Sequence, residues 1–359
     1  MPTSIAYFIS SHGFGHAARA AAVMQATAEY LPEVQFEVFT TVPSWFFKDS
    51  LSIPFNYHHH LTDLGLVQKA PFQADLGDTL HCLEEFYPIS PRRLDEMSET
   101  IRQLECRIII CDIAPMGLLI AKHIGIPSVL VENFTWDWIY QQYSTANKNI
   151  NKYIKYLKPI FESADYHVQT KPICSPKSAD LETEPVSRKP KTPRDQIRQR
   201  LGLLPDRNMI LITTGGIPQA YRFLPRLEEL SEFTFVLPGA GPAVDKRKNV
   251  IILPHRSDFY HPDLGIASDA VIAKVGYSTL AEVYHAGVPF GYVARANYNE
   301  SGPMVRFIKQ HMPGFAVEES AFFSGEWMDR ITELLMLPRV NRQGPNGAKQ
   351  IGEFILSVL

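Results

Sequence analysis

The chain has 359 residues, enough for two domains that each bury their own core, with 45% hydrophobic and 20% charged residues and a formal net charge of -3. So balanced a charge argues against nucleic acid as the main partner, and no apolar run is long enough to span a bilayer. The N-terminus lacks the basic segment and long apolar stretch of a secretory signal, so a cytoplasmic protein is expected, with peripheral membrane contact left open.

Strand-length apolar runs alternate with helical patterns along most of the chain, which predicts an α/β protein with parallel sheets covered by helices. In the first half the expected strands are IAYFI (from Ile5), VQFEVFT (from Val34), RIIICD (ending at Asp112), PSVLVEN and the shorter YHVQT. Helices fit at Ala17–Leu31, at Asp78–Leu104 with a break near Pro88 and Pro91, and at Met116–Ile124. From residue 171 to 194 the text turns rich in Pro, Lys and Glu and loses apolar periodicity, as a linker does. The alternation then restarts, with strands at MILITT, FTFVLPG, NVIILP, AVIAK and FGYVA and helices at RDQIRQRLGL, TLAEVYHAG, Gly302–Gln310 and Ala348–Leu359. The expected organisation is a first Rossmann-like domain over 1–170, the linker, and a second over 195–340, the two facing a cleft. A C-terminal helix within 341–359 is free to pack back on the first domain. Cys82, Cys106, Cys111 and Cys174 show neither CxxC spacing nor a His-rich neighbourhood, so no zinc site or disulfide framework is expected.

The loop after the first strand, SHGFGHAAR, holds His12, Gly13, Gly15, His16 and Arg19. Its GxGxxA text approaches a dinucleotide fingerprint, but the second strand ends in Thr40-Thr41 rather than in a ribose-binding acid, and Glu37 lies inside that strand. A nicotinamide or flavin cofactor is therefore not expected. A histidine at a helix N-terminus sits in a field that disfavours the imidazolium, which suits a general base. A capping or packing role is the plainer alternative. Asp112, at the carboxyl end of its strand, could accept the second ring N–H of His16, or cap the helix that follows; the two roles can coexist.

In the second half, Thr279-Leu280-Ala281-Glu282 spells a capping box, while Gly276, Ser278 and the first-turn N–H groups would make an anion cradle after a strand. Gly215-Gly216 offers a second close backbone approach. His261 lies in a loop suited to a base or ribose, and Arg295, Asn299 and Glu300 follow the strand FGYVA. Neither glycine loop matches GxxxxGK[ST], so a P-loop kinase is not supported.

These motifs together resemble the GT-B glycosyltransferases. GFGHAAR is similar to the first-loop motif of the branch related to the bacterial cell-wall N-acetylglucosaminyltransferase, and GYSTLAEVYHAGVP to the family's donor-site signature. SHGFGHAAR, VENFTWDWIY and FYHPDLGIASDAVIAKVGYSTLAEVYHAGVPFGYVAR resemble, more closely, the glycosyltransferase-like domain of L-arabinokinases and its free-standing bacterial relatives. The resemblance implies a nucleotide diphosphate sugar, expected to be UDP-linked, as substrate rather than cofactor, and a metal-independent transfer to an unidentified acceptor. It implies that Gly276, Tyr277, Ser278 and Thr279 hold the diphosphate, Glu282 the ribose, Glu300 the sugar, with Gly215 and Gly216 beside the phosphates and His261 near the base. His16 becomes the candidate base and Asp112 its orienter. Two alternatives stay open: a non-catalytic nucleotide-sugar-binding module, and a sugar-nucleotide epimerase or hydrolase of the same build.

Overall fold

The computed structural model describes residues 3–70, 72–215 and 221–359. The chain divides into two compact units. One comprises Met1–Ser187, Tyr298–Glu300 and Pro345–Leu359, and the other Arg188–Asn297 and Ser301–Gly344.

The first unit is built on strands β1 (Ser4–Ile9), β2 (Gln35–Thr40), β3 (Phe55–His59), β6 (Cys106–Asp112), β7 (Ser128–Glu132), β8 (Tyr166–Thr170) and β9 (Leu181–Thr183), with β4 (Gln68–Ala70) and β5 (Gln73–Ala74) forming a separate antiparallel pair. The sheet order is β3-β2-β1-β6-β7-β8-β9 and every pairing is parallel. Parallel strands covered on both faces need apolar side chains in both directions, which is why Ile5–Ile9 and Ile108–Cys111 are continuous apolar runs and fully buried. Glu37, the one acid inside β2, is absorbed by its neighbour strand: Asn56 Nδ2 donates to it at 2.8 Å and His58 Nε2 lies 2.6 Å away.

Residues 171–194, expected as a linker, are structured differently. Leu181–Thr183 adds an edge strand to the first sheet, and the division between units falls after Ser187. A three-residue edge strand buries too little to leave an apolar signature among the prolines and lysines around it.

The second unit carries β10 (Asn208–Thr213), β11 (Phe233–Gly241), β12 (Asp245–Arg247), β13 (Val250–Pro254), β14 (Ala270–Lys274), β15 (Phe290–Val293) and β16 (Gly314–Ala316). Their order is β12-β13-β11-β10-β14-β15-β16, parallel except for β12. Among the parallel strands of each sheet the order reverses direction once, between β1 and β6 and between β10 and β14. In open sheets of this kind ligands bind outside the carboxyl ends of the strands flanking such a reversal.

The C-terminal helix Gly347–Val358 belongs to the first unit and lies along the helix Phe14–Tyr30. A Cβ at Gly352 would sit 3.0 Å from the backbone of Ala26 and Thr27, so the two helices approach backbone to backbone. Tyr30 donates to Glu353 at 2.6 Å across the same seam. This explains the alanine-rich text of the first helix: with the sheet on one side and a second helix on the other, only small residues fit. No helix among the described residues is long and apolar enough to cross a membrane. Gly352→Leu should overpack this seam and lower stability by about 1–3 kcal/mol. Thermal unfolding would show it, and Leu356→Gln, at an exposed position of the same helix, should leave the melting temperature nearly unchanged.

Candidate active site

At the reversal point of the first sheet the chain leaves β1 through Ser10–Gly13. Gly13 has φ +76, a left-handed conformation that a side chain would strain, and it serves as the N-cap of the helix Phe14–Tyr30. No side chain caps this end. Gly15 and His16 fall in the first turn, and Arg19 follows His16 by three residues, on the same helical face.

β6 delivers Asp112 to this face. His16 Nδ1 lies 2.8 Å from Asp112 Oδ1. Arg19 grips the same carboxylate with both ends of its fork, Nε to Oδ2 at 2.7 Å and Nη2 to Oδ1 at 2.6 Å. Arg19 Nη1 reaches on to Asn133 Oδ1 at 2.7 Å, beyond the end of β7. The set is buried: His16 is 7% exposed, Arg19 1% and Asp112 0%. Burial works to raise the Asp112 carboxyl, but the charge and hydrogen bonds of Arg19, with His16 adding to them, hold it below its ordinary value. Charge-assisted contact with a carboxylate favours the Nδ1–H tautomer of His16, which leaves the lone pair of Nε2 as the basic site.

Asp112 does not cap the following helix, as one expectation had it. That helix runs over Pro115–Ile124 with Ala114 as N-cap, because the chain turns at Ile113 (φ +47) and Pro115 supplies the first helical position. The place of Asp112 at a strand's carboxyl end suggested it as a partner for His16, but nothing suggested the part of Arg19, which was placed only in the loop. Its signal was the i, i+3 relation to His16 in a stretch, Ala17–Ala22, that is otherwise alanine.

His12, the other histidine of the loop, is in a different constellation. Its Nε2 lies 3.1 Å from Tyr298 Oη and 3.3 Å from Gln68 Nε2, and its ring meets Trp136 edge-on at 5.1 Å. Tyr298 is part of a short excursion, Tyr298–Glu300, that belongs to the first unit although its neighbours in sequence belong to the second. Asn299 is held there by Gln142 Oε1, which accepts its backbone N–H at 2.6 Å, and Glu300 is 7% exposed. Sequence order had grouped Asn299 and Glu300 with the second domain; packing groups them with the first. Arg295 stays in the second unit and is buried.

In the second unit Gly215 follows β10 with φ +82, and Gly276 follows the adjacent β14. Gly216 lies outside the described residues. The capping box over Thr279–Glu282 does not form. The helix starts two residues earlier, at Tyr277, with Gly276 in extended conformation as N-cap and no side chain bonded to the cap. Tyr277, Ser278 and Thr279 thus make up its first turn, where backbone N–H groups and the helix dipole favour an anion. Glu282 turns inward instead. Arg188 donates to its Oε1 through Nε at 3.0 Å and Nη2 at 2.9 Å, and His261 Nδ1 lies 2.8 Å from Oε2. Burial works to raise the Glu282 carboxyl, and the Arg188 charge together with His261 brings it below its ordinary value. Arg188 sits in the stretch read as a linker, and nothing in its immediate sequence marked it.

No protein-family model matches the chain. L-arabinokinase of Arabidopsis thaliana is 27% identical over 352 residues, which is 96% of this chain and 33% of the relative; the chain thus spans about a third of the length of the curated relative it matches. Among solved structures, the glycosyltransferase SnogD from Streptomyces nogalater superposes with a TM-score of 0.60 at 16% identity, over 99% of this chain and 100% of that one. UGT71G1 of Medicago truncatula, complexed with UDP-glucose, gives a TM-score of 0.63 at 12% identity, over 99% and 98%. The fold is GT-B. In this GT-B chain both glycine loops and the His16–Asp112 pair stand at the carboxyl ends of the strands that flank the reversal points.

The buried ion pair makes stability depend on pH with a definite sign. Asp112 has a lower pKa folded than unfolded, so its contribution is present above the ordinary carboxylate range and is lost as pH falls through the folded value. Arg19→Met removes the compensating charge and should destabilise by about 3–5 kcal/mol at pH 7. Asp112→Asn should also be less stable at neutral pH, and its denaturant midpoint should fall less than the wild type's when the pH is lowered from 6 to about 3.

Proposed function

We propose that the chain is a glycosyltransferase that moves a sugar from a nucleoside diphosphate sugar, UDP-linked, to an acceptor hydroxyl. The observation that carries this reading is the buried His16–Asp112 hydrogen bond at the reversal point of the first sheet, which leaves Nε2 as the candidate base at the sheet end where open sheets bind ligands. His16 Nε2 takes the proton of the acceptor O–H as that oxygen attacks the anomeric carbon. The bond from this carbon to the diphosphate oxygen breaks, and the nucleoside diphosphate leaves with the electron pair. Asp112 keeps the ring oriented through Nδ1, and Arg19 keeps Asp112 ionised. The first turn at Tyr277–Thr279 receives the charge that grows on the departing diphosphate, and Gly215 and Gly276 allow backbone to approach it. The reading needs no metal, and it is set in the cytoplasm, where Cys82, Cys106, Cys111 and Cys174 remain thiols.

A second reading rests on Glu282. Its carboxylate, the ribose ligand implied by resemblance, is engaged by Arg188 and His261, which suits a module that binds a nucleotide-sugar through the helix N-terminus without turning it over. The longer relative carries the name of a kinase, in agreement with such a role.

A thermal-shift panel of nucleotide-sugars identifies the donor without knowledge of the acceptor, because a ligand that binds only the folded state raises the melting temperature. With that donor, His16→Ala should abolish consumption and leave donor affinity within a few-fold; unchanged turnover removes His16 as base, and tight donor binding with no turnover in the wild type selects the binding module. Product analysis separates transfer from epimerisation or hydrolysis. The pair Ser278→Ala and Thr279→Ala should weaken donor binding at least tenfold by calorimetry, and unaltered binding would remove the diphosphate cradle.

A further inference from the structure

The charges around His16 do not balance once it takes a proton. Asp112 is negative, but Arg19 neutralises it through two short hydrogen bonds, so the orienting carboxylate brings no net charge to the cluster. An imidazolium formed beside a neutral pair in a buried site is poorly stabilised.

A second carboxylate lies in the same cluster. Asp63 sits in the stretch after β3, and it is 2% exposed. Its Oδ2 accepts the indole N–H of Trp136 at 2.6 Å, and Ser10, with the Ser11 backbone, also bonds to it. Trp136 packs against His16 with ring centres 6.3 Å apart, and Ser10 is tied through its backbone N–H to the Asp112 carbonyl at 3.2 Å. The residues around Asp63 are pinned as well: Thr62 donates to the Ile9 carbonyl at 2.9 Å, and Leu64 accepts from Tyr140 at 2.6 Å.

We propose that Asp63 is a positioning residue for the transfer reaction, supplying the negative charge that stabilises the imidazolium form of His16 while it holds the acceptor's proton. The proposal rests on the reading of His16 as base and adds a second group to it. An indole N–H needs only a neutral acceptor, as the Tyr140 hydroxyl finds in the Leu64 carbonyl; a fully buried carboxylate is a costly substitute unless its charge is used. Among the described residues, the titratable groups facing Asp63 include His16 on the first helix, Tyr87 after the helix Leu76–Phe86, and Tyr140 on the helix Trp136–Gln141, with His12 edge-on to Trp136. Burial raises both phenols well above their ordinary range, and Asp63 adds to it, so they stay neutral and His16 is the partner that can carry positive charge. Burial also pushes the Asp63 carboxyl up to about 6, against the pull of its hydrogen bonds and of His16, which leaves it ionised at neutral pH.

Coupling between two sites is reciprocal, so the stabilisation that Asp63 gives to a charged His16 equals the stabilisation a charged His16 gives to ionised Asp63. Nitrogen-15 NMR of the His16 imidazole in the full chain measures the first quantity with no substrate present. In Asp63→Asn its midpoint should fall by at least about half a unit, roughly a threefold change in the protonation equilibrium. In Asp165→Asn, whose carboxylate lies at the amino end of β7 against Ser128, it should stay within about a tenth of a unit. A His16 midpoint that is the same in Asp63→Asn as in the wild type overturns the proposal, as does an equal fall in both variants. Neither result touches the base assignment, which stands or falls on turnover of His16→Ala.

Discussion

The first unit is organised around one buried ion pair. Arg19 and Asp112 come from a helix and a strand 93 positions apart in sequence, and neither could be buried without the other. A lone guanidinium or carboxylate at this depth would cost several kcal/mol, so the pair fixes the register of the first helix against β6. Everything chemically interesting follows from that register. It sets the His16 ring at 2.8 Å from the carboxylate, and it brings Asn133 beyond β7 into the same network. The pair is costly as a source of stability and economical as a positioning device, because a bidentate fork tolerates little rotation.

The two sheets use the same topological device for different chemistry. At each reversal point a glycine-bearing loop leads from a strand into a helix whose first turn has no side-chain cap. In the first unit that turn presents an imidazole oriented by a carboxylate. In the second, the acid one turn further in is drawn away by Arg188 and His261, and backbone amides are what the turn has to offer. The two helix starts share the same backbone and dipole; the side chains a few residues later are what differ between them.

The fold was legible in the sequence because parallel strands buried on both faces cannot hide: Ile5–Ile9, Ile108–Cys111 and Ala270–Ala273 are unbroken apolar runs. Helix starts were read later than they form wherever a glycine does the capping, since the eye looks for Ser, Thr or Asp and finds Thr279 in place of Gly276. The edge strand Leu181–Thr183 and Arg188 were invisible for a related reason, as their partners are remote in sequence and their own surroundings are polar. His16 and Asp112 could be suggested as a pair in advance because one follows a strand and the other ends one; that the two strands are neighbours is seen only in the fold. Arg19, Asp63 and Trp136 could not, because their significance lies in which charge is already neutralised, and that is a property of packing. The excursion Tyr298–Glu300 shows the limit of reading domains as intervals: three residues cross over to a core that their neighbours do not share.

The seam between the helices Phe14–Tyr30 and Gly347–Val358 joins segments more than three hundred residues apart. During synthesis on the ribosome, the alanine-rich face of the first helix therefore emerges long before the surface that covers it. The helix that carries His16 and Arg19 stays half-wrapped until Gly347–Val358 has been made. Contacts this distant close slowly, so the first unit should be the later of the two to reach its native packing, and the one most dependent on protection while nascent.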